Sequence, residues 1–218
     1  MNSWILTVIT FMPLLVAILV LLPWARMFGW DKTREERLIK RGSTLFSIVP
    51  LVLAMVLWAT YDKVLGGFQF EANVPWISAL GINYHVGVDG LSIPMIFLTT
   101  LLTTLGLWYS SNTIKYRVRE FFFLFSLLEM GMLGVFMSLD LVLFYFFWEV
   151  GLVPMYFLIG IWGQAKDRPQ YSAIKFFLYT LAGSVFMLLA ILGIYFNTGT
   201  FDMIKAAAAH PFANDLLL

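Results

Sequence analysis

The chain has 218 residues, 61% of them hydrophobic and only 12% charged, with a mean hydropathy of +0.85. Soluble domains carry roughly 25% charged residues, so this balance excludes a water-soluble globular protein and indicates a polytopic membrane protein. A net charge of +1 gives no basic surface for nucleic acid, and zero cysteines exclude disulfides, thiolate metal sites and iron–sulfur ligation within the chain.

Six apolar stretches of spanning length follow in order: 4–24, 44–61, 93–109, 121–138, 141–163 and 173–196. Each is sufficient for a helix across roughly 30 Å of hydrocarbon, and helices are required there because lipid satisfies no backbone hydrogen bond. The first run has no basic leader and no small-residue cleavage site, so it is expected to be a permanent span rather than a signal peptide. Trp4, Trp24, Tyr61, Tyr109, Trp162 and Tyr195 stand at span ends, as an interfacial aromatic belt requires.

Charge sets the expected orientation. Arg26, Lys32, Arg34, Arg37, Lys40 and Arg41 lie between spans one and two. Lys115, Arg117 and Arg119 lie between three and four, and Lys166, Arg168 and Lys175 between five and six. That side carries twelve of the 14 basic residues, leaving Lys63 and Lys205 opposite. The positive-inside rule then places the N-terminus outside and the basic loops in the cytoplasm.

The outer connection from Asp62 to Asp89 alternates in part and is punctuated by Pro75, Gly81 and Gly87, which predicts a short strand or hairpin. His85, within it, is expected to be a surface or loop-packing residue. His210 lies far along the chain, so a haem held between helix histidines is not indicated. The stretch "DMIKAAAAHPFANDLLL" is weakly amphipathic, and no repeat or linker divides residues 1–218, which predicts a single membrane domain.

Chemistry concentrates in spans four and five. Only Ser138, Leu139 and Asp140 join them, so they form a tight antiparallel pair. Glu129 and Glu149 each lie about ten residues from that turn, which at 1.5 Å per residue puts both about 15 Å deep, near the midplane. A carboxylate at that depth is costly, and takes up a proton, pairs with a cation or faces a hydrated cavity. Glu149 is the leading proton-relay candidate, with Glu129, Asp140 and Lys175 weaker ones.

The local surroundings of Glu149 fit that role. Pro154 cannot donate to the Val150 carbonyl, which frees an acceptor beside Glu149, and Tyr145 and Tyr156 share its helix face. Structural alternatives stand beside the functional ones. A protonated Glu serves equally as an interhelical hydrogen-bond donor, Asp140 as a helix N-cap, and Lys175 as a snorkelling anchor. The Thr99–Thr100 and Thr103–Thr104 pairs are expected to bond back onto their own helix. No lysine, arginine or histidine lies near the middle of any span, so a buried cation for Glu149 is not in this sequence.

The stretches "FYFFWEVGLVPMYFLIGIWG" (144–163) and "AIKFFLYTLAGS" (173–184) resemble the proton-pumping membrane subunits of respiratory complex I. So do "HVGVDGLSIP" (85–94) and "MGMLGVFMSLDLVLFYFFWE" (130–149). Within the antiporter-like superfamily the wording is that of subunit M, or subunit 4, of NADH–quinone oxidoreductase. The resemblance implies an all-α fold of about fourteen spans, of which these six are the N-terminal part, ending before a broken seventh helix. It implies that Glu149 matches the family's glutamate of span five, Asp140 an acidic position ahead of it, and Lys175 a lysine opening span six. In the family the glutamate pairs with a lysine on the broken helix, so a chain ending at Leu218 is not expected to move protons alone.

The resemblance further implies membrane and peripheral complex I subunits as partners, within a lipid bilayer. NADH, FMN, iron–sulfur clusters and quinone would be held by those partners and none by this chain, in a bacterial plasma membrane. A multi-subunit sodium/proton antiporter or a membrane-bound hydrogenase complex shares the glutamate and is the alternative. A pure scaffold is the least favoured reading, since it has little reason to hold two midplane carboxylates.

Overall fold

A computed structural model describes residues 4–24, 28–164, 166 and 168–209. Among them, six helices are long and apolar enough to cross a membrane: α1 (Trp4–Leu21), α2 (Lys32–Thr60), α3 (Ser92–Thr113), α4 (Val118–Met137), α5 (Leu141–Trp162) and α6 (Pro169–Thr198). A six-residue α7 (Met203–Ala208) follows, and β1 (Gln69–Ile77) pairs antiparallel with β2 (Ile82–Val88) between α2 and α3. His210 and the last residues of the C-terminal stretch lie outside the described residues.

The predicted spans and observed helices differ mainly at the basic end. α2 starts twelve residues before the apolar run because the charged segment from Lys32 continues the same helix beyond hydrocarbon depth. Its Glu35 is held against Arg119 at the start of α4, and the Arg34 guanidinium lies 5.0 Å from the centroid of the Trp30 ring. α1 stops at Leu21 instead of reaching Trp24, since Pro23 disfavours helix at the preceding residue. At the same end, Arg117 and Arg168 precede α4 and α6 in the left-handed conformation, each at φ 49°.

α4 is the most deeply enclosed span, packed on α1, α3 and α5, while α2 lies along α3 and against α1. α6 leans on α5 and is the most exposed span. Lipid is as apolar as leucine, so close packing rather than water exclusion holds these helices together. The central core joins Leu6 and Ile9 of α1, Ile96 of α3, Leu133 and Met137 of α4, and Phe147 of α5.

The predicted hairpin forms. Its connection is a short 3-10 turn (Ser78–Leu80) followed by Gly81 at φ 67°, a left-handed position suited to glycine. A bulge between Gln69 and Ala72 puts Phe70 at φ 58° and in the core cluster. The hairpin is also tied to the helix ends. Leu139 donates to the His85 carbonyl at 2.8 Å, Leu141 to Phe201 at 2.8 Å, and Met203 to Leu139 at 2.9 Å. β2, the α4–α5 turn and the start of α7 thus form one hydrogen-bonded layer across this end.

Candidate functional site

Glu129 and Glu149 occupy different interfaces. Glu129 is 1% exposed and faces α3, where Thr103 Oγ1 lies 2.9 Å from its Oε1. Behind it is a narrow void bordered by Pro13 of α1, Ser43, Ser47 and Pro50 of α2, and Ser126 of α4. Pro13 and Pro50 leave the carbonyls of Ile9 and Phe46 without an intrahelical donor. Ser43 is buried, and its Oγ has no hydrogen-bond partner. Polar side chains of α2, α3 and α4 therefore gather near one buried carboxyl.

Glu149 lies on the α6 side of α5. Its Oε1 is buried and without a hydrogen-bond partner, and the Tyr145 hydroxyl is within reach of both the Glu149 carboxyl and Ser184 of α6. Tyr145 was the sequence-level partner one turn before Glu149; Ser184 was not foreseen. Tyr156 instead stacks edge-on against Phe177, with centroids 5.4 Å apart. Among the described residues no cation stands at ion-pair distance from either glutamate. Pro154 sits inside α5, which continues to Trp162, so the Val150 carbonyl lacks its donor within an unbroken helix.

Lys175 is exposed on α6, nine residues before Ser184. That is about 13 Å along the helix axis, so the structure does not bring it to Glu149.

Asp140 is 1% exposed and caps α5: its Oδ1 accepts from the amides of Val142 at 2.9 Å and Leu143 at 3.1 Å. Its Oδ2 accepts from Asn83 of β2 at 3.2 Å. Burial pushes its carboxyl above the usual range; these three amides oppose that, and the nearby Asp202 adds to it. Asp140→Ala is therefore expected to cost about 2–3 kcal/mol, from a lost cap and a stranded Asn83 amide. Asp140→Asn keeps the Oδ1 acceptor but turns an NH2 toward the Asn83 amide, so it is expected to recover only the cap's share, about 1 kcal/mol. Thermal unfolding of the two variants in one detergent checks the difference.

Asp89 plays the same part for α3. Partial burial works to raise its carboxyl but is outweighed by the Ser92 amide and hydroxyl, both 2.7 Å from Oδ1, and by the Leu91 amide, which hold it below the usual range.

Two expectations are corrected by the contacts. Thr99, Thr100 and Thr103 bond back onto their own helix, but Thr103 also meets Glu129, and Thr104 reaches across to the Ser47 carbonyl of α2 at 3.0 Å. His85 is no surface residue: it is 4% exposed and lies between two carboxylates. Its partners are remote in sequence, so no local pattern marks them. The serines at 43 and 47, one turn apart in an apolar helix, were the legible sign of a polar stripe.

Residues 138–216 match the family model described as NADH:quinone oxidoreductase/Mrp antiporter, transmembrane. That stretch contains Asp140, Glu149 and Lys175 but not Glu129. The chain is 39% identical over 217 residues to NAD(P)H-quinone oxidoreductase chain 4 2 of Thermosynechococcus vestitus, covering 97% of this chain and 38% of that protein. It is 42% identical over 200 residues to NADH-quinone oxidoreductase subunit M of Rhodobacter capsulatus, covering 92% of this chain and 37% of that one. The chain thus spans under two fifths of the length of these relatives.

Among solved structures, a chain of the respiratory complex I of Thermus thermophilus superposes with a TM-score of 0.76 at 26% identity, over 94% of this chain and 39% of that one. A chain of the Mrp complex from Dietzia shares the fold at a TM-score of 0.72 and 21% identity, over 94% of this chain and 20% of that one.

Proposed function

We propose, from the premise that this chain belongs with subunit M and chain 4 of the NADH–quinone oxidoreductases in the antiporter-like family, that it serves in a membrane arm that translocates protons. Electron transfer takes place in partner subunits, which hold NADH, flavin, iron–sulfur clusters and quinone. The observation that carries the reading is Glu149, an intramembrane carboxyl with an open hydrogen-bonding oxygen, beside Tyr145 and Ser184. A group so placed takes a proton from a neighbouring hydroxyl or water and releases it when a nearby charge changes.

The sequence has no cysteine, and the described residues contain no cluster of three histidines or carboxylates arranged for a metal. Its own contribution is to bind and orient protons. The distribution of basic residues supports an N-terminus and β-hairpin facing outward, with the basic loops in the cytoplasm of a bacterial plasma membrane.

The test uses the native complex purified through this chain and sealed into liposomes. NADH and a quinone are expected to acidify the interior, and an uncoupler to abolish the signal. The shared fold with the Mrp complex favours one second reading, a subunit of a multi-subunit sodium/proton antiporter. Absence of redox activity, with proton movement driven by a sodium gradient, would move the chain to that class.

Glu129 is the second proton-holding group in this reading. The Thr103 hydroxyl has one hydrogen and three acceptors around it: the carbonyls of Thr99 and Thr100 and the Glu129 carboxyl. A proton on Glu129, donated to Thr103 Oγ1, frees the hydroxyl hydrogen for a carbonyl and satisfies both groups. Infrared spectra are expected to contain a protonated-carboxyl carbonyl band that disappears in Glu129→Gln and moves to higher frequency in Thr103→Val. A band unchanged in both variants would remove Glu129 from the proton path.

A further inference from the structure

We propose that His85 is a proton-binding clasp at the hairpin end of the molecule, its imidazolium form fastening the corner between α6 and α7 onto the β-hairpin. Its Nε2 lies 3.2 Å from Glu71 Oε2 on β1, and its Nδ1 lies 3.4 Å from Asp202 Oδ2 at the start of α7. A neutral imidazole has one N–H and one lone pair, so it serves one of these carboxylates and turns a lone pair toward the other. Only the imidazolium donates to both, and burial at 4% exposure strengthens what it donates and penalises what it leaves unpaired. The Nδ1 geometry is the looser of the two: it is at ion-pair distance without an aligned hydrogen bond.

The charged groups around the ring come from every element that meets there. β1 supplies Glu71, the α4–α5 turn supplies Asp140, and the start of α7 supplies Asp202, with Lys205 at 3.8 Å from Asp202. Two carboxylates at the ring, a third beside Asp202 and one outlying lysine leave the cluster short of positive charge when the ring is neutral. Glu71 is 43% exposed at its side chain whereas Asp202 is 7% exposed, so protons exchange with the ring from the Glu71 side while Asp202 stays enclosed.

The clasp acts on backbone already described. The His85 carbonyl accepts from Leu139, and Leu139 and Leu141 exchange hydrogen bonds with the 201–203 segment. Phe201 adds an apolar anchor, stacked on Tyr195 with centroids 4.1 Å apart. Loss of the ring's proton therefore loosens Asp202 and the amides next to it, not the whole bundle. The corner is fastened at lower pH and released as pH rises through the titration of the ring. This holds whether or not the chain moves protons, so it stands or falls apart from the reading above.

Histidine labelling makes the test direct, because the chain has only two histidines and His210→Asn leaves His85 alone. The full chain in lipid bilayers, carrying nitrogen-15 histidine, is titrated from about pH 5 to 9, the range in which imidazoles change charge. Amide exchange at Leu141 and Met203 is followed in parallel, with the ratio to His85→Gln removing the intrinsic pH dependence of exchange.

The expected result is a ring protonated on both nitrogens at the acid end. Its deprotonation should coincide with a loss of protection at both amides by about tenfold or more, the factor carried by one charge-assisted hydrogen bond. A ring that stays neutral in one tautomer throughout, or that titrates with protection unchanged, would overturn the clasp; the ring measurement stands even if His85→Gln does not fold.

Discussion

Glu149→Gln is expected to leave the chain folded and its complex assembled while cutting NADH-driven proton movement by about 10²-fold, the lower end of what one positioned proton-transfer group contributes. The substitution keeps size and polarity. A glutamine carbonyl still accepts from Tyr145, whose hydroxyl keeps its reach to Ser184, so the α5–α6 contact survives. Only the ability to exchange a proton is removed. That separates the proton-relay reading from the structural one, in which Glu149 is a neutral hydrogen-bonding group and glutamine is an equal replacement. Acidification of sealed liposomes, normalised to assembled complex, reads the difference. Wild-type acidification in an assembled variant would sink the role. Glu129→Gln, set in its own α3–α4 compartment, is the companion variant, and a distinct phenotype is expected because no described side chain joins the two carboxyls.

Much of the architecture was legible because lipid imposes it. Apolar runs of spanning length have few alternatives to helix, and the three-residue Ser138–Asp140 connection leaves α4 and α5 no choice but to pack antiparallel. The cap at Asp140 was equally readable, since a carboxylate directly ahead of an apolar run has one obvious set of donors. The facing of each glutamate was not. In a soluble helix polarity marks the outer side, but here lipid and protein interior are both apolar, so helical periodicity carries little information. Glu129 turning to Thr103, and Glu149 lying beside a Tyr145 hydroxyl that reaches Ser184 of α6, are consequences of tertiary packing. The His85 cluster escaped for a different reason: β1, β2 and the 201–203 segment meet only after six helices have been placed. The helical start of α2 was missed because hydropathy marks where lipid ends, whereas the backbone helix ends where its hydrogen bonding does.

Gly131 and Gly134 set the α4–α5 spacing, and substituting either is expected to destabilise the fold. A Cβ on Gly131 would stand 2.9 Å from the Gly151 nitrogen, 3.1 Å from its Cα and 3.2 Å from the Phe147 carbonyl oxygen. These are backbone atoms of α5 and yield only if the helix moves. A Cβ on Gly134 would fall 2.2 Å from the Phe147 ring, which is 1% exposed and packed with Leu133 and Met137 in the core cluster. Phe147 could move aside only by giving up its packing in that cluster. Each alanine substitution is expected to cost about 1–3 kcal/mol through overpacking, and valine more. Gly151→Ala is the control, because its Cβ meets only Leu128 Cδ1 at 3.8 Å, an ordinary contact. Thermal unfolding in one detergent should place Gly131→Ala and Gly134→Ala well below wild type and Gly151→Ala near it. The consequence reaches the site, since Phe147 and Gly151 flank Glu149 on α5. A wedge on the α4 side pushes α5 toward α6 and disturbs the Tyr145 hydroxyl that lies between the Glu149 carboxyl and Ser184. Proton movement is therefore expected to fall in the folded fraction of Gly131→Ala as well; wild-type stability in both variants would mean that the α4–α5 seam is looser than these distances describe.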